Sequence, residues 1–308
     1  MKNKRMLGNA MLLLTALIWG TAFVSQRVGM ESIEPITFNA ARMALAAVAV
    51  GTLAVFLSRR EKSVFPSQTE ERRDRNRNTV IGGVCCGFFL TAASIMQQMG
   101  LVYTAAGKAG FITAMYMLLV PLIRFVFFRK KNTWLVWSAV ALGVAGMYFL
   151  CVTDGFRLTR GDTLVCLCAV FFSGHILCCD HFVQRGDPVG ISAIQFAVAT
   201  ILSAIVAFLT EAPSWEKLLP AAIPILYCGI VSGGVGYTLQ IMAQKYTDPT
   251  VASLLMSMES VFAALAGAAL LGERMRPREL LGCAILFAAI ILVQLPAPKR
   301  RSAEAPQR

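Results

Sequence analysis

The stretch Q-Q-M-G-L-V-Y-T at residues 97–104 returns as Q-I-M-A-Q-K-Y-T at residues 240–247. A shift of 143 positions carries Gln97 onto Gln240, Met99 onto Met242 and Tyr103-Thr104 onto Tyr246-Thr247. It also matches Cys85 to Cys228, Ala109 to Ala252 and Met115 to Met258. Earlier in the chain, a shift of 153 places Ala16 on Ala169, Pro35 on Pro188 and Arg42 on Gln195. Ala and Leu coincide by chance between apolar helices, but Gln and Tyr-Thr in register do so less often. The change of shift fits a longer connection in the first half. The chain reads as two copies of one unit.

Working outward from that repeat, apolar runs fill nearly the whole chain. The 308 residues are 56% hydrophobic and 15% charged, against about 25% charged in soluble domains. A chain this poor in charge cannot cover its surface with polar groups and must meet lipid, and its hydrophobicity excludes disorder. Windows long enough to span predict ten helices, at 7–25, 36–57, 80–99, 105–128, 134–152, 164–180, 189–209, 218–242, 251–271 and 280–295. Five spans per half, at 7–152 and 161–295, make the second half enter the membrane from the opposite side. The fold class expected is an all-α integral membrane protein of ten transmembrane helices in two inverted five-helix repeats. That arrangement supports alternating access around a site between the repeats.

The net charge of +12 does not point to nucleic acid, because seven of the 29 basic residues fall at 59–77 and others flank apolar runs. Such groups mark the cytoplasmic side, and no aromatics interleave them as a single-strand binder needs. With the N-terminus inside, 19 basic residues fall on inner segments and 7 on outer loops. Both termini are therefore expected in the cytoplasm, with the protein in the inner (plasma) membrane. The charged segment 58–78 reads as a flexible cytoplasmic loop and 296–308 as a cytoplasmic tail. The first run imitates a signal peptide, but Trp19 and Arg27 and the lack of an A-x-A site favour a retained span. The nine cysteines lie in or at the end of apolar runs, so no disulfide framework is expected.

W-G-T-A-F (19–23), P-I-T-F-N-A-A-R (35–42), Y-T-A-A-G-K-A-G-F-I-T (103–113) and L-V-P-L (119–122) resemble motifs of the EamA family of the drug/metabolite transporter superfamily. The second half repeats the likeness with G-D-T-L (161–164), S-M-E-S-V-F-A-A-L (257–265) and L-L-G-E (270–273). The resemblance covers residues 7–295 and implies a ten-helix exporter or permease for small metabolites. Two departures stand out. Ser260 follows the glutamate of the ninth span where the family often has Pro, and Arg129-Lys130 closes the fourth span where it often has Gly-Glu.

An ionised side chain at bilayer depth costs about 2.5 to 3.5 kcal/mol on insertion scales, so each needs a reason. Arg42, in the second span, either bonds carbonyls of a neighbouring helix or attracts an anionic substrate group. Lys108 sits among small residues at the start of the fourth span, where it either snorkels outward or lines a cavity. Glu259 lies well inside the ninth span, too deep for a short side chain to reach water easily. It is a candidate to couple transport to a proton or to meet a cationic group, with Arg42 or a glutamine as its structural partner otherwise. Gln97, Gln195 and Gln240 could bind an uncharged or zwitterionic solute or tie helices together. Trp19 and Tyr116 could form an aromatic wall. His175 is read as a polar cavity residue; with Cys178, Cys179, Asp180 and His181 it crowds one helix, but a metal site would need partners from elsewhere and none is assigned.

No P-loop, H-E-x-x-H or G-x-S-x-G is present, and the Gly-rich stretch 229–236 falls within a span. The chain is expected to be no enzyme and to need no cofactor. Its partners are a small-molecule substrate, a proton or other coupling ion, the lipid bilayer and, compatibly, a second copy of itself. Export of a small polar metabolite such as an amino acid leads. An exchanger of anionic or phosphorylated metabolites is the alternative, and a membrane-embedded enzyme or scaffold is the alternative of another class.

Overall fold

The computed structural model describes residues 2–64, 70–104, 106–130, 132–151, 159–271 and 276–295. Every regular element among them is a helix. The first half contains α1 (Lys2–Gly29), α2 (Pro35–Val64), α3 (Glu70–Tyr103), α4 (Ala106–Ala114), α5 (Tyr116–Phe128) and α6 (Trp134–Cys151). After it come α7 (Arg160–Val183), α8 (Pro188–Thr210) and the short α9 (Trp215–Leu218) and α10 (Ala222–Leu226). A π-helical segment (Tyr227–Tyr237) continues α10 into α11 (Thr238–Gln244), followed by α12 (Pro249–Met256), α13 (Glu259–Leu271) and α14 (Pro277–Gln294).

Among the described residues, eight stretches are long and apolar enough to cross a bilayer: Asn3–Gly29, Pro35–Arg60, Glu70–Tyr103, Ala109–Phe128, Arg160–Val183, Pro188–Thr210, Ala222–Gln244 and Pro249–Ala269. Trp134–Phe149 is a shorter apolar helix. Phe56, Phe88, Ile201, Phe208 and Leu209 are exposed. In water such a surface would drive association; against acyl chains it is the lipid-facing side.

Three boundaries depart from the sequence reading. The segment 58–78 is helical on both sides of 65–69, which lie outside the described residues. Arg, Lys and Glu are strong helix formers, so α2 and α3 run on past their apolar stretches, and Glu70 and Glu71 occupy the first turn of α3 where the helix dipole favours acids. The fourth and ninth runs, read as single spans, are each two helices. The tail 296–308 also lies outside the described residues.

Proline and acidic caps set several starts. Asp187 precedes Pro188 and accepts from Gly190 N at 2.6 Å; Asp248 precedes Pro249 and accepts from Thr250 N at 2.9 Å. At α2 the cap comes from far along the chain: the Glu211 carboxylate accepts from Ile36 N (2.9 Å) and Thr37 N (2.7 Å).

Packing follows the sequence repeat. α3 packs on α7, as α1 packs on the π segment and α11; α3 packs on α8, as α2 packs on the π segment. α4 and α5 pack on α7, as α12 and α13 pack on α1, while α2–α8 and α6–α14 are their own counterparts. Single contacts repeat too. Thr104 Oγ1 donates to Asp162 Oδ1 (3.0 Å), and Thr247 Oγ1 to Asn9 Oδ1 (3.2 Å). A Cβ on Gly161 would lie 2.4 Å from Thr104 Oγ1, and one on Gly8 2.5 Å from Thr247 Oγ1. Only glycine allows these approaches.

Candidate functional site

The two broken spans meet in the middle of the bundle. Between α4 and α5 the ladder tightens: Met115 N donates to Ile112 O (3.2 Å) and Leu118 N to Met115 O (2.9 Å). Between α12 and α13, Met258 N donates to Leu255 O (3.3 Å) and Ser260 N to Ser257 O (3.2 Å). These i→i−3 bonds start a new helix at each break, with Tyr116 as first residue of α5 and Glu259 as first residue of α13. Pro121 lies inside α5 and is not where the span breaks.

Tyr116 Oη donates to Glu259 Oε1 at 2.9 Å, both residues being buried. They border a common cavity. Among its described lining, Arg42 is the basic side chain and Glu259 the acidic one; they are 6% and 3% exposed, so bulk water solvates neither. They do not pair with each other, contrary to the expectation that Arg42 would be the glutamate's structural partner. Instead Arg42 Nε and Nη2 both donate to Asn39 Oδ1, at 3.0 and 2.8 Å. Asn39 Nδ2 in turn donates to Ser94 Oγ (3.2 Å) and Ser203 Oγ (2.9 Å). The guanidinium is thereby fixed in direction without being neutralised.

Trp19, Phe23, Phe172 and Tyr237 wall the cavity with Tyr116. The Trp19 and Tyr237 rings lie 4.6 Å apart, tilted at 48°, and Trp19 donates from Nε1 to Ser232 O (3.2 Å) within the π segment. Gly236 makes that possible, since a Cβ there would lie 2.7 Å from Trp19 Nε1. Gln97 lines the cavity and donates to Thr113 Oγ1 (3.2 Å). Gln26 lines it too, and its buried Oε1 has no hydrogen-bond partner among the described residues.

The structure thus gathers Trp19, Arg42, Gln97, Tyr116 and Glu259 around one space and places others elsewhere. His175 and Gln195 are outside the cavity lining, joined at 2.9 Å across α7 and α8. Gln240 donates to Gln244 Oε1 (3.2 Å), and Gln244 to Ile176 O (2.9 Å), so this pair ties α11 to α7. The side chain of Lys108 lies outside the described residues. Asp180 and His181 border a separate groove with Arg124 and Lys130. Sequence reasoning missed Asn39, Gln26, Phe172 and Tyr237. Two signals were available: Asn39 is one turn before Arg42, and Phe172 stands 153 positions after Trp19.

The pattern of the EamA-like transporter family matches residues 6–152 and again residues 159–295. The chain belongs to the EamA-like transporter family. Among the relatives of this EamA-like protein is an uncharacterized transporter of Archaeoglobus fulgidus, 30% identical over 95% of this chain and 87% of that one. A probable terminal-alkyne amino-acid exporter of Streptantibioticus cattleyicolor is 22% identical over 96% and 97%. An S-adenosylmethionine/S-adenosylhomocysteine transporter of Chlamydia muridarum is 24% identical over 90% of each. A crystal structure shares the fold with a TM-score of 0.73 at 16% identity, covering 93% of this chain and 96% of its own. This EamA-like protein is a multi-pass membrane transporter of small molecules, and not an enzyme.

Proposed function

We propose that the chain carries a small zwitterionic metabolite, an amino acid or close relative, and exports it by alternating access. The observation that carries this reading is a buried basic and a buried acidic side chain, not paired with each other, in one aromatic-walled cavity. A substrate carboxylate would meet the Arg42 guanidinium, which presents a planar fork for it. A substrate ammonium would meet Glu259 and the unpartnered Gln26 Oε1, with the faces of Trp19 and Tyr237 beside it. One cation balanced by one anion suits a zwitterion better than an anionic or phosphorylated metabolite, the second reading held from sequence.

The relatives' named substrates agree with this. An amino acid and S-adenosylmethionine share an α-ammonium and a carboxylate. Ten spans in two inverted repeats, 7–152 and 161–295, with both termini in the cytoplasm of an inner-membrane protein, complete the proposal. Its support is the doubled family match, the paired helix contacts and the two equivalent helix breaks. Broken helices meeting at a midplane site are a recurring device of such transporters. A proton is the coupling ion proposed, exchanged at Glu259.

Counterflow in proteoliposomes tests the function. Vesicles loaded with one amino acid should take up its labelled form faster than empty-protein controls, with selectivity among side chains. No counterflow with any α-amino acid, in protein that folds and inserts, would sink the reading.

A further inference from the structure

Away from the cavity, the α3–α7 interface brings together Cys86, His175 and Cys179, all buried. Cys86 Sγ lies 3.6 Å from Cys179 Sγ, and Cys179 Sγ lies 3.9 Å from His175 Nδ1 and 3.6 Å from its Nε2. One donor atom from each residue falls within 4.8 Å of the others. We infer that these three side chains form a binding site for a d10 metal ion, and that charge balance selects Zn²⁺.

The separation of the two sulfurs is that of a coordination shell. Zn–S bonds of about 2.3 Å and Zn–N bonds of about 2.0–2.1 Å at tetrahedral angles separate two sulfurs by about 3.8 Å and a sulfur from a nitrogen by about 3.6 Å. The two sulfurs are therefore already held close to the separation the ion requires, while the imidazole must turn to bring Nδ1 onto it. His175 and Cys179 are one turn apart on α7, a spacing that puts both on one face. Read from sequence, that helix lacked its further ligand; α3 supplies it as Cys86.

The imidazole is held in the form that can ligate. Gln195 Oε1 sits 2.9 Å from His175 Nε2, and an amide oxygen there accepts the Nε2 proton. The Nδ1 lone pair is then directed away from the amide and free for the metal. A hydrogen bond from the ring nitrogen that does not bind is the usual support of a metal-binding histidine.

Soft thiolate and imidazole donors select Zn²⁺ or Cu⁺ over Mg²⁺ and Ca²⁺. Net charge is costly inside a membrane bundle. Two thiolates neutralise Zn²⁺ and would leave Cu⁺ with a net negative charge. Binding forms two Zn–S bonds and one Zn–N bond and releases two thiol protons to solvent. The fourth position stays open to water or to Cys178, which hydrogen-bonds Cys86. Because α3 belongs to the first half and α7 to the second, the ion clamps the halves together.

The test uses full-length protein in detergent, reduced, stripped with chelator and titrated with Co²⁺ as a spectroscopic substitute. Thiolate-to-cobalt charge-transfer absorption should appear, and one equivalent of Zn²⁺ should bleach it. Cys86→Ser and Cys179→Ser should each abolish the absorption, while Cys166→Ser should keep it. Gln195→Ala should keep the spectrum but weaken Zn²⁺ binding about 10- to 100-fold. Size exclusion reports whether the serine variants fold; if they do not, the wild-type spectrum and the Gln195→Ala shift decide. Wild-type protein without the charge-transfer band overturns the site, as does a band that survives in folded Cys86→Ser and Cys179→Ser. Cu⁺ binding with no Zn²⁺ displacement of Co²⁺ overturns the assignment of zinc.

Discussion

Tyr116 and Glu259 are joined by a 2.9 Å hydrogen bond and stand 143 residues apart, the interval that superimposes the third and fourth runs of the first half on the eighth and ninth. The same point of the repeated unit thus touches itself, with a phenol on one side and a carboxyl on the other. Each residue begins the second helix of a broken span. A contact between equivalent positions is the one least displaced when two halves exchange conformations. It is also where sequence asymmetry has most effect, since only one half carries the acid.

Glu259→Gln keeps size and hydrogen bonding to Tyr116 but removes titration. The variant is expected to fold and insert, to lose pH-driven net export, and to retain exchange of solute present on both sides. Flux in vesicles with and without a pH gradient measures both. Wild-type rate and pH profile in the variant would make Glu259 structural. Tyr116→Phe, which leaves the carboxyl unsupported, should move the pH profile without abolishing exchange.

Arg42→Lys should not rescue Arg42→Gln, because Asn39 Oδ1 takes both Nε and Nη2 of the guanidinium and an ammonium cannot reproduce that fork. Either variant is expected to raise the apparent KM for amino acids at least about tenfold, which is about 1.4 kcal/mol. Amino-acid methyl esters, lacking the carboxylate, should be indifferent to the change. Equal losses for acid and ester would place Arg42 in packing alone.

Orientation is checked by single cysteines replacing Ser67 and Arg160 in a cysteine-depleted background. An impermeant thiol reagent applied to intact cells should label position 160 and spare position 67 until the membrane is opened. Labelling of both from outside would overturn the ten-span arrangement.

Glu211 caps α2 across the chain, so Glu211→Ala should lower stability by about 0.5–2 kcal/mol, read as a fall in Tm. Nearby, Glu34 bonds Lys217, and that hydrogen bond, aided by one to its own backbone, holds the Glu34 carboxyl below its usual range. A lowered folded pKa means stabilisation that is present above the unfolded pKa and lost as pH falls through the folded one. The pair is half exposed, so its effect is about 0–1 kcal/mol. The Tm difference between wild type and Glu34→Gln should be present at neutral pH and vanish in acid.

The sequence by itself determined the membrane class, the doubled unit and the residues worth suspecting. Composition, run length and charge bias are sums over many residues and survive any error at one of them. Arg42 and Glu259 were legible because an ion in an apolar run is costly wherever the neighbours lie. What only the tertiary structure decided was which of these meet. Arg42 found Asn39 rather than Glu259, and Gln240 and His175 turned away from the cavity, because partners are set by helix rotation and crossing, which periodicity does not encode. The breaks at Met115 and at Ser257-Met258 carry no proline or glycine, so no local signal marked them; they arise where α4 and α13, and α12 and α5, pack across the halves. Cys86 likewise gained its meaning from α7. His175 and Cys179 share a helix, but Cys86 stands 89 and 93 residues before them in sequence and becomes their neighbour only through the packing of two helices.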